Sequence, residues 1–123
     1  MSKRGNKVQK VDVLGTIYTI EYRTKEEDEK LKQVAGYCDY SIKKIVCNKR
    51  TEKDKDDLDS SNLGFVDNRI LRHEIIHAFM YESGLWCNSF GISSWADNEE
   101  MTDWFAIQFP KIYKAYAKLG ILD

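Results

Sequence analysis

The sequence predicts an α+β fold, with short strands first and two substantial helices after them. Residues 8–23 and 36–48 are rich in β-branched and aromatic side chains and are interrupted by turn formers, the composition of short strands. Residues 65–83 and 97–119 instead space their apolar side chains at helical intervals. All the strand-like runs precede the helical ones, so sheet and helices segregate rather than alternate.

At 123 residues the chain can build one hydrophobic core but not two, so residues 1–123 are expected to form a single domain, with residues 1–7 as a flexible tail. Lys3, Arg4, Lys7 and Lys10 form a small basic cluster there, expected to be solvated rather than a binding arm. The apolar and charged fractions are those of a soluble globular protein, and a net charge of −1 gives no field favouring nucleic acid or an anionic membrane. No apolar run approaches the roughly 20 residues of a membrane span. The opening Met-Ser-Lys-Arg-Gly-Asn-Lys has charge but no apolar segment of a secretion signal. Cys38, Cys47 and Cys87 are odd in number and lack Cys-x-x-Cys spacing, which predicts reduced thiols in a cytoplasmic setting. Cys38 and Cys47 could face each other across a hairpin, but free thiols are expected.

Taken in order, Val8–Leu14 and Thr16–Arg23 predict a hairpin turning at Leu14-Gly15. Lys25–Gln33 is mostly charged and fits a short surface helix or an ordered loop. Gly36–Tyr40 and Ile42–Asn48 predict a second strand pair around Asp39-Tyr40-Ser41. Ile42, Ile45 and Val46 break strict alternation there, so a bulge or burial on both faces is expected. Arg50–Ser61 is a mixed charge run of the kind that forms solvated connections. Any of Asp59, Ser60, Ser61 or Asn62 could cap the next helix. That helix spans Phe65–Ser83 and ends at Gly84, with Leu71, Ile75, Ala78 and Phe79 expected to pack on the core. Leu85–Ala96, rich in Asn, Ser and Gly, predicts a loop. The last helix runs from about Asp97 to Leu119. Pro110, lacking an amide hydrogen, is expected to kink or interrupt it and leave Lys111–Lys118 as a separate segment.

The first of these helices carries His73-Glu74-Ile75-Ile76-His77, which contains both histidines of the chain. Residues four apart lie about 40° apart around a helix axis, so His73 and His77 share a face and can share a cation. Glu74 lies about 100° round from His73, offset enough to miss the metal and still reach a water beside it. This is the His-Glu-x-x-His pattern of two zinc ligands and a carboxylate base. Either histidine alone would be an ordinary partly buried side chain; the pair with Glu74 predicts Zn2+ binding.

A catalytic zinc takes three protein ligands and leaves one position open. No third histidine exists, so the third ligand comes from Cys87, Asp97, Glu99, Glu100 or Asp103. Cys87 follows the helix too soon to sit comfortably. Glu99 is favoured over Glu100 because Asp103 lies four residues beyond it on the same helical face. From there Asp103 can accept a hydrogen bond from the non-metal nitrogen of a ligand histidine. Acidic residues are also simply favoured in a helix's first turn, which accounts for whichever glutamate does not bind.

His73-Glu74-x-x-His77 followed by Glu99 and Asp103 resembles the gluzincin arrangement of thermolysin-like zinc metallopeptidases. In size the chain is more similar to the ImmA/IrrE-type and phage-encoded minimal metallopeptidases, whose second helix carries a pattern like Glu-x-x-Ala-Asn-x-Phe-Ala. Glu99, Phe105 and Ala106 match that pattern; Thr102 and Asp103 depart from it, Asp keeping the hydrogen-bonding role of Asn. The resemblance is specific over residues 66–110 and architectural over the strands. Met80 and Ser83 stand where a metzincin needs Gly and His, which excludes that group.

The resemblance implies a small zincin-like fold, a twisted N-terminal β-sheet packed on the motif helix and the C-terminal glutamate-bearing helix. It also implies that the strand just before the motif helix, within Ile42–Asn48, runs along the cleft and pairs with an extended substrate. A phage or mobile-element protein working in the host cytoplasm is a further implication. The expected activity is that of a zinc-dependent metalloendopeptidase acting on a peptide or protein substrate, with Glu74 as general base. Tyr37, Tyr40 and Tyr81 are candidate donors to the oxyanion, each more readily explained by packing. The rival expectation is a zinc-binding regulatory protein that works through a protein partner with little or no hydrolysis. Neither expectation involves nucleic acid or a membrane.

Overall fold

The computed structural model describes residues 8–51, 63–88 and 98–123. The expected tail, the charge run with its candidate caps Asp59–Asn62, and most of the Leu85–Ala96 segment lie outside them.

Strand β1 (Gln9–Val13) and strand β2 (Thr16–Arg23) form the expected hairpin. Val13 pairs with Thr16, so Leu14-Gly15 is the whole turn, and both residues have positive φ, 53° and 92°. That is the twist a two-residue hairpin requires, and Gly15 supplies half of it without strain. Asp12 Oδ1 accepts the Gly15 N–H at 2.7 Å and stabilises the turn. A one-turn 3-10 helix (Glu29–Lys32) follows, capped by Asp28, and drops Leu31 into the interior. Strands β3 (Gly36–Asp39) and β4 (Lys44–Asn48) pair antiparallel, one residue to one, without the bulge.

The sheet order is β1-β2-β4-β3, with β4 running parallel to β2. This explains the lost alternation in β4. A central strand covered on both faces has no solvent side, and Ile45, Val46 and Cys47 are all buried. It also leaves the strand within Ile42–Asn48 without the open edge that pairing with an extended substrate requires. Both edges of β4 are occupied, whereas β3 is an edge strand with one side unpaired among the described residues. Cys38 and Cys47 are free thiols, and their partners across the ladder are Ile45 and Gly36.

Helix α1 (Leu63–Glu82) packs on the sheet through Ala78, fully buried, with Ile70, Leu71 and Ile75 partly buried around Val13, Tyr18, Ile20 and Ile45. Its last residue locks it there. Glu82 accepts hydrogen bonds from Tyr18 Oη at 2.7 Å and Thr16 Oγ1 at 3.1 Å, and pairs with Lys43 Nζ at 2.7 Å. Gly84, with φ of 86°, ends the helix as expected. The chain then re-enters a helical turn, α2 (Leu85–Asn88), in place of loop, with the Leu85 N–H donated to Ser83 Oγ. Phe79 departs from expectation: it is 37% exposed and lines an apolar groove with Phe105 and Phe109 instead of joining the core.

Helix α3 (Glu99–Leu119) starts on the Asn98 side chain, which accepts the Met101 N–H at 2.7 Å. It runs through Pro110 without interruption, so Lys111–Lys118 is not a separate segment. A proline leaves the carbonyl four residues earlier without its amide, here that of Ala106. Arg72 Nε on α1 donates to that oxygen at 2.6 Å. The missing bond is thus replaced by one between helices. Among the described residues no helix is long and apolar enough to cross a membrane.

Arg72→Met, which keeps the aliphatic stem but leaves the Ala106 carbonyl without a donor, is expected to cost about 1–3 kcal/mol of unfolding free energy. Pro110→Ala restores the amide, so it should stabilise the Arg72→Met protein more than the wild type. Urea unfolding of the four proteins reads the coupling; additive effects would remove the replacement role of Arg72.

Candidate metal centre

Four residues of separation on α1 bring the rings of His73 and His77 to 4.8 Å between centroids, 77° from coplanar. Glu99, the first residue of α3, reaches them from the opposite side. Its Oε1 lies 2.9 Å from His73 Nε2 and 3.1 Å from His77 Nε2. One carboxylate oxygen thus faces the same nitrogen of both imidazoles, and the three groups offer ligand atoms all within 4.8 Å of one another. On the far side of the His73 ring, Asp103 Oδ1 stands 3.3 Å from Nδ1. The helical spacing that makes Glu99 and Asp103 neighbours therefore addresses both nitrogens of one histidine.

The donor types, two imidazoles and a carboxylate, suit a zinc-sized cation. Bonds of about 2.1 Å in a tetrahedron set ligand atoms about 3.4 Å apart, a few tenths of an ångström beyond the two oxygen–nitrogen contacts. Carboxylates face both nitrogens of His73. A cation at Nε2 would leave the imidazole proton on Nδ1, directed at Asp103. Side-chain exposure rises from 7% at His77 through 18% at His73 to 72% at Glu99, so the cluster opens toward solvent on the α3 side.

Glu74 is 7% exposed. Burial pushes its carboxyl up to about 7; His73 opposes the rise and Glu99 adds to it. Glu99 goes the other way. Partial desolvation works against its charge, but the imidazoles of His77 and His73 outweigh it and hold the carboxyl below its usual range. The two glutamates are thus tuned apart by surroundings.

The cluster forms one wall of a cleft of about 430 Å³, and Val34, Gly36, Cys38 and Tyr40 line the side toward β3. Gly36 sets how closely α1 approaches. A Cβ there would stand 3.1 Å from Val46 O, 3.2 Å from Ile70 Cγ2 and 3.4 Å from Glu74 Cγ, so even an alanine would require these neighbours to yield by a few tenths of an ångström. Burial, and then the Glu74 carboxylate, push the Cys38 thiol up to about 12, and Cys38 is not part of the His73, His77 and Glu99 cluster.

Of the candidate third ligands, Glu99 joins the histidines, Asp103 sits behind His73, and Glu100 is exposed and joins neither cluster nor cleft. Asp97 and the Cys87 side chain lie outside the description. Among the candidate oxyanion donors, Tyr81 stacks on Tyr40 with centroids 4.4 Å apart, and the Tyr37 hydroxyl bonds Asp28; Tyr40 alone of the three lines the cleft. Two cleft residues escaped the sequence. Arg69 could have been found, since it precedes His73 by the same four residues that separate His73 from His77. Gly36 carries no local signal, because its role depends on a helix far along the chain. Compared with known proteins, the chain matches no family model, no curated protein and no solved structure.

In metal-free protein Glu74 releases its proton near pH 7 when folded, against the ordinary value of 4.5. Between those values the folded state holds more protons than the unfolded, so stability falls as pH rises, by on the order of 3 kcal/mol in full. Glu74→Gln cannot titrate. With EDTA present, the difference in unfolding free energy between this variant and wild type should move in favour of the variant from pH 4.5 to 7. Urea unfolding across that range checks it; a difference independent of pH would remove the buried, neutral Glu74.

Proposed function

We propose that the protein is a zinc-dependent metallopeptidase of gluzincin type, with His73, His77 and Glu99 as ligands. One observation carries this reading: a carboxylate oxygen lies within 3.1 Å of two imidazole nitrogens at the wall of a cleft, with the buried Glu74 beside them. A zinc ion held there supplies the Lewis acidity that activates water and polarises a peptide carbonyl.

The chain's own residues provide the rest. Asp103 holds His73 with Nε2 directed at the ligand position. Glu74, buried beside the ligands, takes a proton from the attacking water and delivers it to the departing amine. The unpaired side of β3 offers backbone donors and acceptors along the cleft, so an extended peptide can lie there as an added strand. β3 takes the part that the family resemblance gave to the strand within Ile42–Asn48.

Purified protein should carry about one zinc per chain, and His77→Ala should lose it. Glu74→Gln should keep the metal and cut a mixed peptide pool at least about a hundredfold more slowly, as measured by mass spectrometry of the digest. Cleavage by Glu74→Gln at the wild-type rate would overturn the base assignment. A zinc-loaded wild type that cuts nothing would favour the rival regulatory protein.

A further inference from the structure

Three described arginines are engaged by groups of the fold. Arg23 pairs with Glu21 and Asp28, Arg50 pairs with Asp67, and Arg72 donates to the Ala106 carbonyl. Arg69 has no ion pair or hydrogen bond among the described residues, yet it is half-buried and lines the cleft of the metal cluster. A guanidinium that lines a cleft and makes no bond within the fold keeps its donors free for an anion that enters the cleft.

The acids nearest to it do not remove the need for that anion. Glu99 faces the two imidazoles and Asp103 faces His73. Glu74 is buried against β3. With a divalent cation on His73, His77 and Glu99, that centre has a net charge of +1, and Arg69 adds a second positive charge to the same cleft.

We infer that Arg69 is a specificity-determining residue that receives a carboxylate of the bound peptide. The inference rests on the peptidase reading and deepens it by naming a substrate class. Four residues of helix rise about 6 Å, so the guanidinium sits about one turn from His73 along the cleft. Side chains on one face of an extended peptide repeat at about 6.6 Å. The two steps match, so the recognised carboxylate lies within about two residues of the scissile bond. It belongs either to an Asp or Glu side chain or to the peptide's own C-terminus. A singly charged carboxylate suits the site better than a dianion, because carboxylates of Glu99 and Asp103 share the cleft.

Binding to zinc-loaded Glu74→Gln protein separates this inference from the catalytic reading. Fluorescently labelled alanine-rich octapeptides serve as probes: one blocked at both ends, a set with a single Glu at successive positions, and one with a free C-terminal carboxylate. Anisotropy should give at least about tenfold tighter binding for a carboxylate-bearing peptide than for the blocked one, weakening with salt. The Glu set and the free terminus distinguish the two sources of the carboxylate. Adding Arg69→Gln should bring the ratio close to one, with zinc content unchanged, and Arg69→Lys should restore part of it. Should Glu74→Gln fail to fold, zinc-free wild type takes its place. A ratio near one in the parent protein, or one that survives Arg69→Gln, overturns the inference whether or not wild type hydrolyses peptides. Absence of hydrolysis alongside an Arg69-dependent ratio overturns the peptidase reading and leaves carboxylate recognition standing.

Discussion

The register between α1 and α3 is the constraint on which the site depends. Its two histidines belong to one helix and the acids that meet them to another, so a slip of one residue would take Glu99 and Asp103 out of reach. The bond from Arg72 Nε to the Ala106 carbonyl opposes that slip. Arg72 immediately precedes His73, and Ala106 follows Glu99 by about two turns of α3. A directional contact therefore joins the helices within two turns of the cluster, where apolar packing alone would tolerate sliding. Pro110 makes it available by withholding the amide that would otherwise occupy the carbonyl. A residue that ordinarily breaks helices here frees the oxygen that ties two of them together.

The other wall is governed by how near α1 comes to β3. Gly36 permits an approach in which Ile70 and Glu74 lie almost on the strand. That approach excludes water from Glu74, and the exclusion is the first cause of its raised proton affinity. A missing side chain on an edge strand thus controls the acidity of a carboxyl on a helix. Sheet order contributes as well. Because β4 lies between β2 and β3, the strand beside the cleft keeps one edge unpaired among the described residues.

The sequence revealed what depends on short-range periodicity. The hairpin at Leu14-Gly15, the two long helices, the shared face of His73 and His77, and the pairing of Glu99 with Asp103 all follow from offsets of two or four residues. What it concealed depends on contacts between distant segments. Strand pairs separated by turns look alike whether or not a parallel partner is inserted, so nothing local announced that β4 would be central. The uninterrupted helix through Pro110 was not foreseen because the carbonyl it frees finds a donor 34 residues earlier in the chain. Phe79 sits at a spacing suited to the core, but it faces the groove toward α3 rather than the sheet. Arg69 shared the helical offset of the histidines and was overlooked because a basic residue on a helix usually needs no explanation beyond solvation.

Glu74 bears most directly on the choice between a working hydrolase and a domain that merely holds a cation. A carboxyl sealed against an edge strand lowers the stability of the fold at neutral pH whenever it ionises, and an apolar or amide side chain of similar size would avoid that penalty. A structural cation gains nothing from it, since such a site is closed by its own ligands and has no proton to move. Hydrolysis does gain, because a proton must leave water and reach the departing nitrogen, and a carboxyl poised near neutrality can perform both transfers. Functional sites are where folds depart from their most stable sequence. The buried Glu74, beside a donor cluster that opens toward solvent, is such a departure, and it is the one the proposed hydrolysis would use.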